Sequence, residues 1–177
     1  MYTSFVLTVV GPDRPGLVES LSETIAVHQG NWVESRMATV AGQFAGLVWL
    51  TVPSEQAQAL EAALHDLESR GLRVVVRSGE PATPEPARVM RLELVGHDRP
   101  GIVRDLARAL SQRGINVEEL TSESYSAPMS GEPLFKARLE LGIPPEADMS
   151  ELHKALEALS EQLCLDLTCD EPGPVSG

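Results

Sequence analysis

A nine-residue block occurs twice in this chain, and that repetition requires two copies of one folding unit. Val10-Gly11-Pro12-Asp13-Arg14-Pro15-Gly16-Leu17-Val18 returns as Val95-Gly96-His97-Asp98-Arg99-Pro100-Gly101-Ile102-Val103. The offset is 85 residues (101 minus 16), and it holds without a gap on both sides. Phe5, Leu7 and Val9 map to Met90, Leu92 and Leu94; Leu21, Ile25, Asn31 and Glu34 map to Leu106, Leu110, Asn116 and Glu119. A register kept through a strand, a turn and a helix is the mark of internal duplication.

Each copy reads in the same order. Phe5, Leu7 and Val9 alternate with Val6, Thr8 and Val10 in a strand that is apolar on both faces. Asp13 is then placed to cap a helix, with Pro15 in its first turn. Leu17, Val18, Leu21 and Ile25 form that helix's buried stripe, which ends near Gln29-Gly30. Residues 32–40 and 44–52 flank Ala41-Gly42-Gln43 as a hairpin. Ser54 is expected to cap a second helix carrying Leu60, Leu64 and Leu67, closed by Gly71, and residues 72–76 make the last strand. The second copy follows with a strand at 91–95, a helix at 99–113 and strands at 116–125 and 134–141. Asp148 and Glu151 then suggest a capping box for a helix with Leu152, Leu156, Leu159 and Leu163. Residues 126–133 lengthen the hairpin loop of this copy. The result is α+β, a βαββαβ unit twice over. The domains are expected at 1–79 and 88–170, joined by a Pro-rich linker at 80–87 and followed by a flexible tail at 171–177.

The composition narrows the function. Of 177 residues, 26 are acidic and 14 basic, a formal net charge of -12, and no basic run occurs, so direct nucleic-acid binding is disfavoured. Cys164 and Cys169 fit neither a zinc nor a redox spacing and are expected to be free thiols, with Cys169 on the core side of the last strand. No signal peptide or membrane-spanning stretch is evident, so a cytoplasmic protein is expected. Gly11 and Gly16 have P-loop spacing, but Leu17-Val18 stands where Lys and Ser/Thr are needed. His28, His65 and His153 have no ligand partner at i+4, and no nucleophile has an adjacent base. No enzyme, cofactor or metal is expected.

What remains is the turn. A helix N-terminus offers unpaired N–H groups and partial positive charge to a carboxylate, and Asp13 or Asp98 could face an ammonium group. Such a pairing suits a zwitterionic amino acid. Helix capping and packing alone would also account for these residues, with Arg14 and Arg99 as solvated charges and His97 as an exposed turn residue.

The strand followed by G-x-D-R-P-G-[LI]-V, a helix and Asn31 or Asn116 before the next strand resembles the ACT domain. Two in tandem, with Asn31-Trp32-Val33-Glu34-Ser35-Arg36-Met37-Ala38 in the first, resemble the glycine cleavage system transcriptional repressor family from about Thr3 to Cys169. The resemblance implies ferredoxin-like modules, antiparallel sheets with helices on one face, often paired in homodimers. It implies a regulator that binds a small amino acid such as glycine and acts by contact with a separate DNA-binding activator. The implied ligand site is Gly11, Pro12, Asp13, Arg14, Pro15, Gly16 and Asn31, with Gly96, His97, Asp98, Arg99, Pro100, Gly101 and Asn116 in the second copy. The replacement of Pro12 by His97 and the longer second loop imply that the two turns are unequal. A ligand-independent interaction module is the alternative.

Overall fold

The computed structural model describes residues 1–79 and 88–170, and the chain divides into two compact units, Met1–Ala82 and Thr83–Gly177. The expected linker and tail lie outside the described residues. The first unit runs β1 (Tyr2–Pro12), α1 (Leu17–Val27), β2 (Asn31–Val40), β3 (Gln43–Pro53), α2 (Ala57–Asp66) and β4 (Arg73–Ser78), with a 3-10 turn (Leu67–Arg70) prolonging α2. The second repeats this as β5 (Arg88–His97), α3 (Ile102–Ser111), β6 (Asn116–Ser126), β7 (Pro133–Ile143), α4 (Met149–Leu163) and β8 (Leu165–Asp170). The sheets have the orders β2-β3-β1-β4 and β6-β7-β5-β8, and every described pairing is antiparallel. The duplication extends to register: Gly11 lies opposite Phe44, and Gly96 opposite Phe135.

The period-two alternation assigns the faces. Phe5, Leu7 and Val9 are buried against Leu17, Leu21 and Ile25 of α1 and Leu60 and Leu64 of α2. Met90, Leu92 and Leu94 do the same against Leu106 and Leu110 of α3 and Leu152 and Leu156 of α4. Each such side chain contributes roughly 1.5–3 kcal/mol by leaving water. Among the described residues no polar or charged residue is buried, so each core is held by apolar packing alone. Both helices of a unit cover one face of its sheet, leaving the other face open.

Local details depart from the sequence reading. The turn after β3 occupies residues 54–56, so Ser54 does not cap α2; its Oγ accepts from Thr3 Oγ1 at 3.0 Å, and Gln56 holds the N-cap position. Asp148 does cap α4, its Oδ1 accepting from the N–H groups of Ser150 (2.9 Å) and Glu151 (3.2 Å). The expected box is only half built, because the Glu151 carboxylate turns to Lys154. Leu163 closes α4 as its place in the apolar stripe suggests, and Cys164 is the left-handed residue that ends the helix. Both cysteines are free; Cys169 packs partly against the core while Cys164 is exposed. No described helix is long and apolar enough to cross a membrane.

Candidate functional site

Asp13 and Asp98 do not cap their helices, contrary to the sequence reading. The N-cap positions of α1 and α3 belong to Gly16 (φ 91°) and Gly101 (φ 97°), neither with a side-chain cap. Pro15 and Pro100 lie in the turn just before, outside the helices. A left-handed backbone suits glycine and costs other residues about 1–2 kcal/mol, so these glycines are demanded by the turn itself. Among the described residues the first N–H groups of α1 and α3 therefore have no capping side chain from the N-cap position. A Cβ built on Gly16 would come no closer to a neighbour than Glu19 Oε2 at 3.9 Å, so this corner is open. At Gly101 the guanidinium of Arg104, the counterpart of Glu19, would stand at 3.0 Å. The two corners thus differ in charge as well as in access.

The first glycine of each motif has a different task. Gly11 and Gly96 sit where the strand passes the turn leading into the last strand of the unit. A Cβ on Gly11 would stand under 3.0 Å from the Gly71 carbonyl oxygen; on Gly96 it would meet Leu165 Cδ2 and the Cys164 carbonyl. Close packing explains both positions.

Arg14 and Arg99 are not idle surface charges. Arg14 Nη2 donates to the Arg70 carbonyl at the end of the α2 extension, and Arg99 Nη2 donates to the Gln162 carbonyl in the last turn of α4 at 3.2 Å. A cation on the orphan carbonyls at a helix C-terminus relieves both an unsatisfied acceptor and the negative end of the helix dipole. The same arginine in both copies therefore ties the first turn to the end of the second helix. No local pattern announces this, because the partners lie 56 and 63 residues away.

The aspartates next to them differ between copies. Both backbone N–H groups bond across the hairpin end, Asp13 to Gly42 O and Asp98 to Pro133 O, each at 2.9 Å. The Asp98 carboxylate accepts from Ser124 Oγ at 2.5 Å, whereas Asp13 has no hydrogen-bonded side-chain partner among the described residues. His97, in place of the exposed Pro12, is itself exposed and stands 4.0 Å from Glu132 of the longer loop.

Asn31 and Asn116 do not join these turns within their own modules. Asn31 pairs with Thr51, which pairs with Ser4, seven residues before Gly11 along β1. At about 3.3 Å per residue that is roughly 23 Å, most of the length of the sheet. Asn116 lies opposite Gly142 and hence level with Val89, equally far from Gly96, and its Nδ2 donates to Glu118 Oε1 at 2.7 Å. An open cavity of about 580 Å³ lies toward this end of the second sheet, on its free face, lined by Arg91, Glu93, Glu119, Arg138, Glu140 and Asp170 among others. Its charges are largely matched: Arg138 meets Glu93 at 2.6 Å, and Arg91 meets Glu140 at 3.1 Å. Among the described residues, no group of three or more His, Cys, Asp or Glu could hold a metal ion.

Fold, register and turn together define a pair of small duplicated βαββαβ modules, and comparison with known proteins agrees. The ACT domain family matches residues 3–76 and again 90–127, more than half of the sequence between them, and the chain belongs to that family. The second match stops where the longer loop begins. Over its length the chain is similar to the glycine cleavage system transcriptional repressor of Escherichia coli (strain K12), 23% identical over 162 residues, covering 89% of this chain and 84% of the relative. Among solved structures it resembles a protein of unknown function from Galdieria sulphuraria, with a TM-score of 0.86, 29% identity, and 97% and 99% of the two chains covered. A structure provisionally assigned as a glycine cleavage system transcriptional repressor follows at a TM-score of 0.70 and 19% identity, covering 96% and 97%.

Proposed function

We propose that this chain is an amino-acid-responsive regulatory protein of the glycine cleavage repressor type, without catalytic activity. The observation that carries the reading is the duplicated turn, in which a left-handed glycine opens a helix N-terminus that no side chain caps. At the first turn the Asp13 carboxylate, without a side-chain partner, lies close by in sequence. N–H donors and a carboxylate supply the two recognition elements of a zwitterion. Because Asn31 lies at the opposite end of its sheet, the complete site would use the turn of one module and the strand start of another. That arrangement asks for paired modules, as in a homodimer. Gly11, Pro12, Arg14 and Pro15 would shape the first turn, and Gly96, His97, Asp98, Arg99, Pro100 and Gly101 the second, with Asn116 answering Asn31. With a formal net charge of -12, the chain would act on a DNA-binding activator by protein contact, in the cytoplasm.

Calorimetric titration of the full chain with glycine, serine and branched-chain amino acids tests the proposal. Saturable binding weakened by Asp13→Ala is expected; no heat and no thermal stabilisation up to millimolar concentrations would overturn it. The ligand-independent interaction module has its own support, since close packing, the arginine tie and the left-handed turn already explain three residues of each motif. A partner that co-purifies equally with and without amino acid would favour that reading.

A further inference from the structure

The two free sheet faces, opposite the helices, are built from equivalent positions and carry opposite chemistry. Across the first, the register sets three rows: Glu34–Trp49–Val6–Arg77, Arg36–Leu47–Thr8–Val75 and Ala38–Ala45–Val10–Arg73. Val10, Leu47 and Val75 are 41%, 51% and 38% exposed, a large aliphatic surface left in water. The matching positions of the second sheet hold Arg91 for Val6, Glu93 for Thr8, Arg138 for Leu47, Glu140 for Trp49 and Lys136 for Ala45. There Glu93 pairs with both Lys136 (3.0 Å) and Arg138 (2.6 Å), and that face is content in solvent. Only the first face gains by being covered. Contiguous apolar surface of this kind marks an interaction site.

We propose that the free face of the first module packs against the same face of a second copy of this chain. The first row is self-complementary about a two-fold axis parallel to the strands. Such an axis reverses the row, setting Arg77 of one copy over Glu34 of the other, and Val6 over Trp49, on both sides at once. Among the described residues Arg77 has no ion-pair partner in its own module, and Glu34 meets only Arg36, loosely at 3.9 Å. In the next row the axis lays Thr8 over Leu47. Covering Trp49 strands no polar group, because its indole N–H already donates to Ser4 Oγ at 2.7 Å. Sheets stack face to face about 10 Å apart at about −30°, a geometry that antiparallel four-stranded sheets readily adopt. With β4 six residues long and the other three strands about ten, a mean of about nine residues at about 3.3 Å across four strands at about 4.8 Å gives roughly 570 Å² per copy. The pair thus buries about 1,100 Å², just past the roughly 1,000 Å² that a specific interface needs.

The test is sedimentation of the full chain over a concentration series, with tryptophan fluorescence and circular dichroism to confirm folding. The wild type should sediment as a dimer, and Leu47→Arg should weaken association at least tenfold. Glu34→Arg and Arg77→Glu should each weaken it, and the double variant E34R/R77E should recover it, because the reversed charges meet again across the axis. Arg138→Glu, on the free face of the second sheet, should change nothing. A wild type that stays monomeric at high concentration overturns the proposal. So does a dimer indifferent to Leu47→Arg, which would point to pairing through an edge strand, and so does a double variant no better than either single one. Amino-acid binding is read by calorimetry and this contact by sedimentation, so failure of one is told apart from failure of the other.

Discussion

Replacing Gly11 by alanine adds one methyl group at the most crowded point of the first module. The groups it would meet are all backbone: Gly71 O under 3.0 Å, Gly71 C at 3.3 Å and Leu72 Cα at 3.5 Å. Backbone cannot rotate aside, so β4 or the turn before it must move, and overpacking of that kind costs about 3 kcal/mol. The same change at Gly96 meets Leu165 Cδ2 first, a side-chain end that can turn away, with Cys164 O at 2.9 Å and Leu165 Cα at 3.2 Å behind it. About 1–2 kcal/mol is expected there. Trp32 and Trp49, the only two tryptophans, both lie in the first module, so their fluorescence reports its unfolding separately from the second. Urea melts followed by fluorescence should show a marked fall in midpoint for Gly11→Ala. In heat the loss corresponds to about 12–24 °C for a module of this size. Circular dichroism should show the smaller loss for Gly96→Ala. A Gly11→Ala variant with an unshifted fluorescence midpoint, or a Gly96→Ala variant hit harder, would refute the packing argument.

Two further outcomes follow from the caps and charges. Asp148→Ala should cost about 1 kcal/mol by circular dichroism, since it removes the acceptor for two N–H groups of α4, whereas Asp13→Ala should cost less than about 0.5 kcal/mol, because Gly16 holds that N-cap. The hydrogen bond from Arg138, then that from Lys136, holds the Glu93 carboxyl below its ordinary value. Its contribution to stability is therefore present above the unfolded carboxyl's value and is lost as the pH falls through the lower folded one. Acid titration of the second module's stability should flatten in Glu93→Gln over that interval; an unchanged profile would dismiss the triad as a stabilising unit.

The duplication, the order of elements and the main apolar stripes were legible because strand and helix periods write themselves into the apolar pattern, although Val18, read into the buried stripe of α1, is 46% exposed. The helix starts were misread for a local reason. Asp-Arg-Pro-Gly offers two candidate caps, and only the left-handed backbone at Gly16 and Gly101 decides between them. Gly standing directly before the first buried residue of the stripe was the available signal. Family resemblance set Asn31, at the start of the second strand, beside the turn of a neighbouring module, and counting strand directions agrees that it lies away from the turn of its own module. The arginine ties could not be read, since nothing local links Arg14 to residue 70 or Arg99 to residue 162. The contrast between the free faces was visible in Val6 and Thr8 against Arg91 and Glu93, but only paired strands show that Leu47, Trp49 and Val75 complete the patch.

The tie from Arg14 to the end of the α2 extension makes the turn and that helix end one thermodynamic unit. A ligand that drew the guanidinium away would deprive the Arg70 carbonyl of its donor, so occupancy of the turn and order of the adjoining helix end would be reciprocally linked. The equivalent Arg99 bond gives the second module the same lever with a different load. Its counterpart acts on a longer helix, closed by a strained non-glycine residue at Cys164 rather than by Gly71. Two ties cut from one pattern but set against unequal helix ends would make a ligand at the first turn and one at the second work against different resistance.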